Sequence, residues 1–414
     1  MDTQREPQRT FWLITLLAAA MLMMTMGARQ SMGLFVSPIN TATGLGYPTI
    51  SLALAIAQFV WGAVQPVAGA LADRYGHGRV LIGGVLLLAL GSALAPVLTS
   101  SWGLIFSLGL LSAAGAGAGS FAVLIGTVAQ RVSAQQRGMA SGIINAGGSF
   151  GQFVFAPLLQ KLISLFGWMG ALWSLAIITL AALPLGRALR DKRELAAERG
   201  LHVEATTEAL HDGGLRAALR RALRDPSYLL LHAGFFTCGF HIAFLVTHLP
   251  GEVQLCGLPT EVASWSLAII GLANIAGSLV AGWGVQHYRS KYILFWMYAS
   301  RAVLIAIYLL APKTAPTFYL FAIGLGFTWL ATVPPTAGVV GKLFGARYLA
   351  TLFGLTLLSH QTGAFFGAWL GGIAFAELGN YNWMWYADIV LAALAAVLNL
   401  PIREPRIAAV LKPA

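Results

Sequence analysis

The chain has 414 residues, of which 57% are hydrophobic and 10% charged, and a net charge of +11. Soluble globular domains carry about 25% charged residues, so the composition excludes one and implies a polytopic membrane protein. Long apolar runs without period-2 alternation exclude a barrel and leave helices as the spanning elements.

In chain order, apolar windows of roughly 20 residues predict spans over 11–38, 49–72, 79–98, 103–130, 138–160 and 168–186. Six more follow over 227–249, 260–284, 292–311, 315–340, 349–376 and 383–401; these are spans 1 to 12. The run after Phe11 is too long for a cleavable signal peptide and continues into the protein. Between the two sets, 187–225 holds nine Arg/Lys and seven Asp/Glu. Its last part, "LRAALRRALR" (215–224), has helical periodicity suited to a membrane surface, and a solvated linker suits the earlier part. The expected organisation is an all-α protein with an N-terminal six-helix half (1–186), a cytoplasmic linker (187–225) and a C-terminal six-helix half (226–414).

With both termini in the cytoplasm, all Lys and Arg residues fall on that side except Lys161 and Lys313 in outer loops and Arg29 and Arg301 inside spans. That bias assigns the topology in the cytoplasmic membrane and accounts for the positive charge without nucleic acid. Cys238 and Cys256 form no disulfide framework and have no metal-ligand neighbours at finger spacing, so both are expected to be packing residues. The halves resemble each other. "GALADRYGHGRVL" (69–81) and "GWGVQHYRSKYIL" (282–294) occupy corresponding loops, as do "GGSFG" (147–151) and "GAFFG" (363–367) on corresponding spans, at nearly equal offsets. Duplication of a six-helix unit explains both.

The loop between spans 2 and 3 resembles the signature of the major facilitator superfamily: Gly69, Leu71, Asp73, Arg74, Gly76 and Arg79 match it. The resemblance implies two six-helix halves around a central pathway, no cofactor and no metal. It also assigns Gly69, Asp73, Arg74, Gly76 and Arg79 to a cytoplasmic gate in which Asp73 faces the N-terminal end of span 11. In the second copy Gln286 replaces the aspartate, which makes the gate asymmetric. "GARQSMGLFVSPI" (27–39) and the stretch 333–372 are similar to bacterial relatives of monocarboxylate and oxalate/formate carriers, which place a substrate-side cation near Arg29. Two features of animal monocarboxylate carriers are missing. Their span 1 signature is replaced by "REPQRTFWLI", and "GLANIAGSLVAGW" (271–283) lacks a span 8 arginine. The signatures of drug/proton antiporters in spans 4 and 5 are missing as well, with Leu111 and Gln152 at the key positions.

Thr25, Arg29, Gly33 and Ser37 recur at four-residue steps and form a small polar face on span 1. Such a face lines a cavity or packs on helices; the alternative for Arg29 is snorkelling to the outer headgroups. Other spans carry polar stripes: Ser51, Gln58, Gly62, Gln65 and Gly69 on span 2; Ser141, Asn145, Gly148 and Gln152 on span 5; His241 and His248 on span 7. Span 8 has Gly271, Asn274 and Ser278, and span 11 has Thr356, His360, Gln361, Gly363 and Gly367. Arg301, midway along span 9, has either a substrate role or a structural one, bonding carbonyls or tyrosine hydroxyls, with Asp388 of span 12 as a possible partner.

Two intramembrane arginines against one clear intramembrane acid favour a carboxylate ligand, which relieves the cost of a buried guanidinium through charge-assisted bonds. The expected function is secondary transport of a small organic anion, with efflux of drugs or metabolites on the same fold as the alternative. The substrate-site candidates are Arg29, Gln58, Asn145, Gln152, Asn274, Arg301, His360 and Gln361. Proton coupling, if used, falls to His360, His241 or Asp388, since spans 1 and 4 carry no acid. The expected partners are the substrate, the bilayer and a proton, with the chain acting as a monomer. No nucleotide loop, metalloprotease motif or nucleophile elbow points to an enzyme.

Overall fold

The computed structural model describes residues 5–129, 131–132, 137–190, 214–345 and 349–404. Ten helices among these residues are long and apolar enough to cross a membrane. One, Met139–Ala188, carries two spans, because the backbone leaves helical geometry at Gly167 (φ 67°, ψ 178°). Leu349–Leu378 supplies the twelfth span.

Span 1 is Arg5–Gln30, prolonged by a tight 3₁₀ turn, Met32–Phe35, and a short helix, Val36–Thr43. Span 2 is Tyr47–Tyr75 and span 3 is His77–Leu94. Span 4 runs from Ser101 to Ala129 with a π-helical stretch, Ile105–Ser112. Spans 5 and 6 share Arg137–Leu180, and Leu183–Ala188 finishes span 6. Gly214–Ala222 is the short helix anticipated before span 7. Span 7 is Pro226–Leu255, span 8 Thr260–His287 and span 9 Ser290–Leu310. Span 10 is broken into Ala315–Thr328 and Val333–Phe344; span 11 is Leu349–Leu378 and span 12 Asn382–Asn399.

Local chemistry sets several boundaries. The Asp225 carboxylate accepts from the amides of Ser227 (2.8 Å) and Tyr228 (3.1 Å), and Pro226 fills the first helical position, where no amide donor is needed. Gly76, at φ 100°, makes the turn between spans 2 and 3, a conformation that costs other residues much more.

Lipid offers no hydrophobic drive between helices, so close packing of small residues holds the bundle together. Spans 7 and 11 lie backbone on backbone: a Cβ at Gly239 would collide with the His360 carbonyl, and one at Gly363 with that of Phe236. Between the halves, span 2 packs on span 11 and span 5 on span 8. Toward the side opposite the basic loops the halves meet closely, with Gly33 of span 1 against the Val246 carbonyl of span 7 and Gly372 of span 11 against the Ser51 side chain of span 2. Toward the side with the basic loops, a Cβ added at Gly69, Gly142, Gly282 or Gly354 of spans 2, 5, 8 and 11 would meet nothing within 4 Å. The close approaches of the halves at Gly33 and Gly372 thus lie away from the basic loops.

The segment after span 12 is pinned at the basic-loop side. The Glu404 carboxylate accepts from the amides of Ser290 and Lys291 (both 2.9 Å) at the start of span 9 and from Lys342 Nζ of span 10 (2.6 Å). Burial pushes this carboxyl up, but the Lys342 and amide bonds outweigh it and hold it below the usual carboxylate range. Glu404→Gln should lower the stability of the purified protein by about 1–2 kcal/mol at neutral pH. A depressed carboxyl contributes above its unfolded pKa and loses that contribution as pH falls through its folded value. The gap between wild type and variant, read from unfolding midpoints in detergent, should thus be full at neutral pH and close in acid below the usual carboxylate range.

Candidate functional site

The regular helix of span 1 ends at Gln30, one residue beyond Arg29. Arg29 and Gly33 line one cavity, and Gly33 and Ser37 border the next, whereas Thr25 turns to span 4. Thr25 Oγ1 donates to the Gly119 carbonyl of span 4 (3.0 Å). Gly33 packs on span 7, and Ser37 lines a separate outer cavity of about 40 Å³ with Tyr47, Gln160 and His248.

Arg29 is half-buried between the halves rather than extended to the headgroups. Its Nη2 donates to Gln58 Oε1 of span 2 and to Gln361 Oε1 of span 11 (3.2 Å). The guanidinium carbon lies 4.1 Å from the ring centroid of Trp61, a cation–π contact of about 0.5–2 kcal/mol. No carboxylate lies within ion-pair distance among the described residues, and Nε has no protein partner. Arg29, Gln58, Ser112 and Thr247 line a cavity of about 30 Å³ between spans 1, 2, 3, 4 and 7, enough for one or two waters.

The structure thus brings Arg29, Gln58 and Gln361 together. Asn145, Gln152 and Asn274 instead lie along the seam of spans 5 and 8. Asn145 Nδ2 donates to Ser278 Oγ (2.9 Å) and Asn274 Nδ2 to Ser149 Oγ (2.7 Å). Gln152 is buried there with neither amide atom partnered by protein. His360 adjoins the Arg29 group through Gln361, whose Nε2 meets His360 Nδ1 at 2.8 Å.

Arg301 is fully buried and does not line the Arg29 cavity. Span 10 is broken between Trp329 and Thr332, just before Pro334 and Pro335. Arg301 Nη2 donates to the carbonyls of Thr328 (2.8 Å) and Trp329 (3.3 Å), at the end of the first half-helix. Of the two roles open to it in the sequence, its bonds are those of the carbonyl-bonding one. Asn274 Oδ1 accepts from the Leu330 amide (2.9 Å), answering the other side of the break. The pairing of Arg301 with Asp388 is corrected: Asp388 Oδ2 binds Nδ1 of His241, and both residues are fully buried. Carbonyl acceptors lie closer to hand for a guanidinium beside a broken helix.

Three further residues complete the group. Trp61 and Gln30 flank Arg29, and Trp329 Nε1 donates to Gln30 Oε1 across the halves (3.3 Å). Trp61 follows Gln58 by three positions on the face of span 2, which is the signal for it in the sequence. The gate candidates are placed in part. Gly76 makes its turn, Gly69 faces open space and Arg79 is exposed, while the side chains of Asp73 and Arg74 lie outside the described residues.

Residues 12–368 match the family model described as Major Facilitator Superfamily. The chain belongs to this superfamily. Its fold agrees with the crystal structure of a D-xylose-proton symporter, with a TM-score of 0.74 at 13% identity over 95% of this chain and 98% of that one. Monocarboxylate transporter 13 of Rattus norvegicus is 27% identical, covering 94% of this chain and 89% of its own. The oxalate:formate antiporter of Oxalobacter formigenes is 24% identical, covering 90% and 86%. These relatives fall in the branch that segments 27–39 and 333–372 resemble.

Asn274 joins the span 5–8 seam to the span 10 break. Asn274→Ala leaves the buried Leu330 amide without its acceptor and should cost about 1–3 kcal/mol. A lowered unfolding midpoint in detergent checks this; an unchanged midpoint removes Asn274 from the account of the break.

Proposed function

We propose that the protein is a secondary transporter that moves a small organic anion, a monocarboxylate or related acid, across the cytoplasmic membrane. The carrying observation is Arg29, a guanidinium set in a cavity at the seam of the halves with no carboxylate partner among the described residues. A charge in a low-dielectric site attracts a counter-charge, and a guanidinium accepts a carboxylate in a bidentate grip. Gln58 and Gln361 hold the fork, and Trp61 supports it from one face. Two relatives are named for monocarboxylate and for oxalate and formate, which favours the same ligand class.

Transport proceeds by alternating access. The close packing of the halves at Gly33 and Gly372 supports one end of that cycle, closed on the outer side, in which the halves rock about a central site. The protein works as a monomer with both termini in the cytoplasm, and the loop of Asp73 serves as the cytoplasmic gate.

Labelled pyruvate or lactate uptake into proteoliposomes tests the reading. Arg29→Lys keeps the charge but loses the planar fork, so binding should weaken about 10-fold with some transport left. Arg29→Gln should weaken it about 100-fold or more, because the anion then enters a site with no compensating charge. Wild-type affinity in folded Arg29→Gln, or transport of cationic dyes indifferent to Arg29, would refute the anion reading in favour of efflux. The gate has its own check. Asp73→Asn should retain membrane insertion and lose most transport, and normal turnover in inserted protein would remove Asp73 from the gate.

A further inference from the structure

His241 and Asp388 form a fully buried pair inside the second half. The carboxylate can only accept, so Nδ1 of His241 carries the hydrogen in that bond. Nε2 is then the free lone pair, and it is buried without a protein partner. A further proton has one place to go, and the product is an imidazolium held by Asp388.

The surroundings connect this pair to the Arg29 cavity. The His241 and Trp329 rings make a T-shaped contact, centroids 5.8 Å apart, and Trp329 sits in the non-helical part of span 10. Its indole donates across the seam to Gln30, the residue after Arg29. Around the pair, Arg301 of span 9 acts electrostatically on His241, with Cys238 of span 7 and Tyr298 of span 9 against its guanidinium; span 10 presents Trp329, which does not titrate, and His360 of span 11 bonds Gln361 beside Arg29. Arg301 is committed to the carbonyls of the break, so it positions span 10. His360, unlike His241, has no carboxylate partner among the described residues.

We propose that the His241–Asp388 pair is a proton-binding site, with Nε2 of His241 taking the proton, and that the span 10 break links its charge to the anion at Arg29. This rests on the anion reading above. Protonation adds one positive charge to an interior already holding Arg29 and Arg301 against Asp388. It also strengthens the contact with Trp329 through a cation–π attraction, which holds more firmly the indole that bonds Gln30. Both effects favour an anion at Arg29, and by linkage a bound anion favours the proton. A carboxylate and a proton then enter together as a neutral pair.

The test is calorimetric titration of purified protein with pyruvate, an anion ionised throughout, at about pH 6 and pH 8, in buffers of different ionisation enthalpy. The wild type should bind about 5- to 10-fold more tightly at the lower pH and take up a proton on binding. His241→Gln keeps an N–H for Asp388 but cannot titrate, so uptake should vanish and affinity become independent of pH. His360→Gln, which removes the imidazole beside Gln361, should shift affinity equally at both pH values and keep the proton uptake and the pH slope. Trp329→Phe, which leaves the pair intact and cuts the bond to Gln30, should reduce the pH slope, and it carries the test if His241→Gln does not fold. Anion binding with wild-type uptake and slope in His241→Gln, or with wild-type slope in Trp329→Phe, overturns the proposal and leaves the anion reading standing. Failure of the wild type to bind pyruvate and lactate at either pH overturns both.

Discussion

A helix interrupted inside a membrane exposes amides and carbonyls that lipid cannot satisfy. Span 10 is interrupted between Trp329 and Thr332, and much of the second half is arranged around that constraint. Arg301 answers the carbonyls of Thr328 and Trp329, and Asn274 answers the Leu330 amide. A guanidinium suits the first task because the end of a half-helix is the negative end of its dipole. In return the break lets the Trp329 indole leave the helical path and reach Gln30 in the other half. Backbone satisfaction in one half thereby becomes a contact between halves.

The two intramembrane arginines meet opposite fates under the same electrostatic rule. Arg301 is surrounded by carbonyls, a sulfur and an aromatic ring, and is fully buried. Arg29 has amide oxygens and the Trp61 face, which orient it without neutralising it. Neutral acceptors hold a guanidinium in place and still leave its charge for an ionic partner. The first arginine serves the architecture, and the second is the one to which the proposed anion is assigned.

Hydropathy and the distribution of Lys and Arg carry the spans and their number, because lipid permits few alternatives. The loop from Gly69 to Arg79 carries the superfamily, since its glycines and charges sit at fixed spacing. What stays hidden is tertiary or depends on local breaks. The polar stripe of span 1 places Arg29 and Gly33 on one cavity, while the 3₁₀ turn at Met32–Phe35 is apolar and leaves no mark in a polarity pattern. Pro334 and Pro335 hint at a break in span 10, yet nothing nearby in sequence names Arg301 as its partner, 27 residues away from Thr328. With the break unseen, Asp388 looks like the natural counter-charge for Arg301, whereas a histidine 147 positions away holds it. Trp61 lies on a face already marked by Gln58; the meaning of Gln30 depends on Trp329 in the other half.

The contact of Gly372 with the Ser51 side chain and the Tyr47 carbonyl bears on populations rather than on contacts. A methyl group there acts as a wedge in the outer seam of spans 2 and 11, well removed from the Arg29 cavity lining. In the alternating-access cycle proposed above, it would penalise the form in which that seam is shut and move the balance toward the open outer side. Ligands approaching from outside would then find more of the receptive form and bind with higher apparent affinity, although no atom that touches them has changed. Within that proposed cycle, glycine at this position would set the resting direction of the molecule, a property distinct from what the molecule recognises.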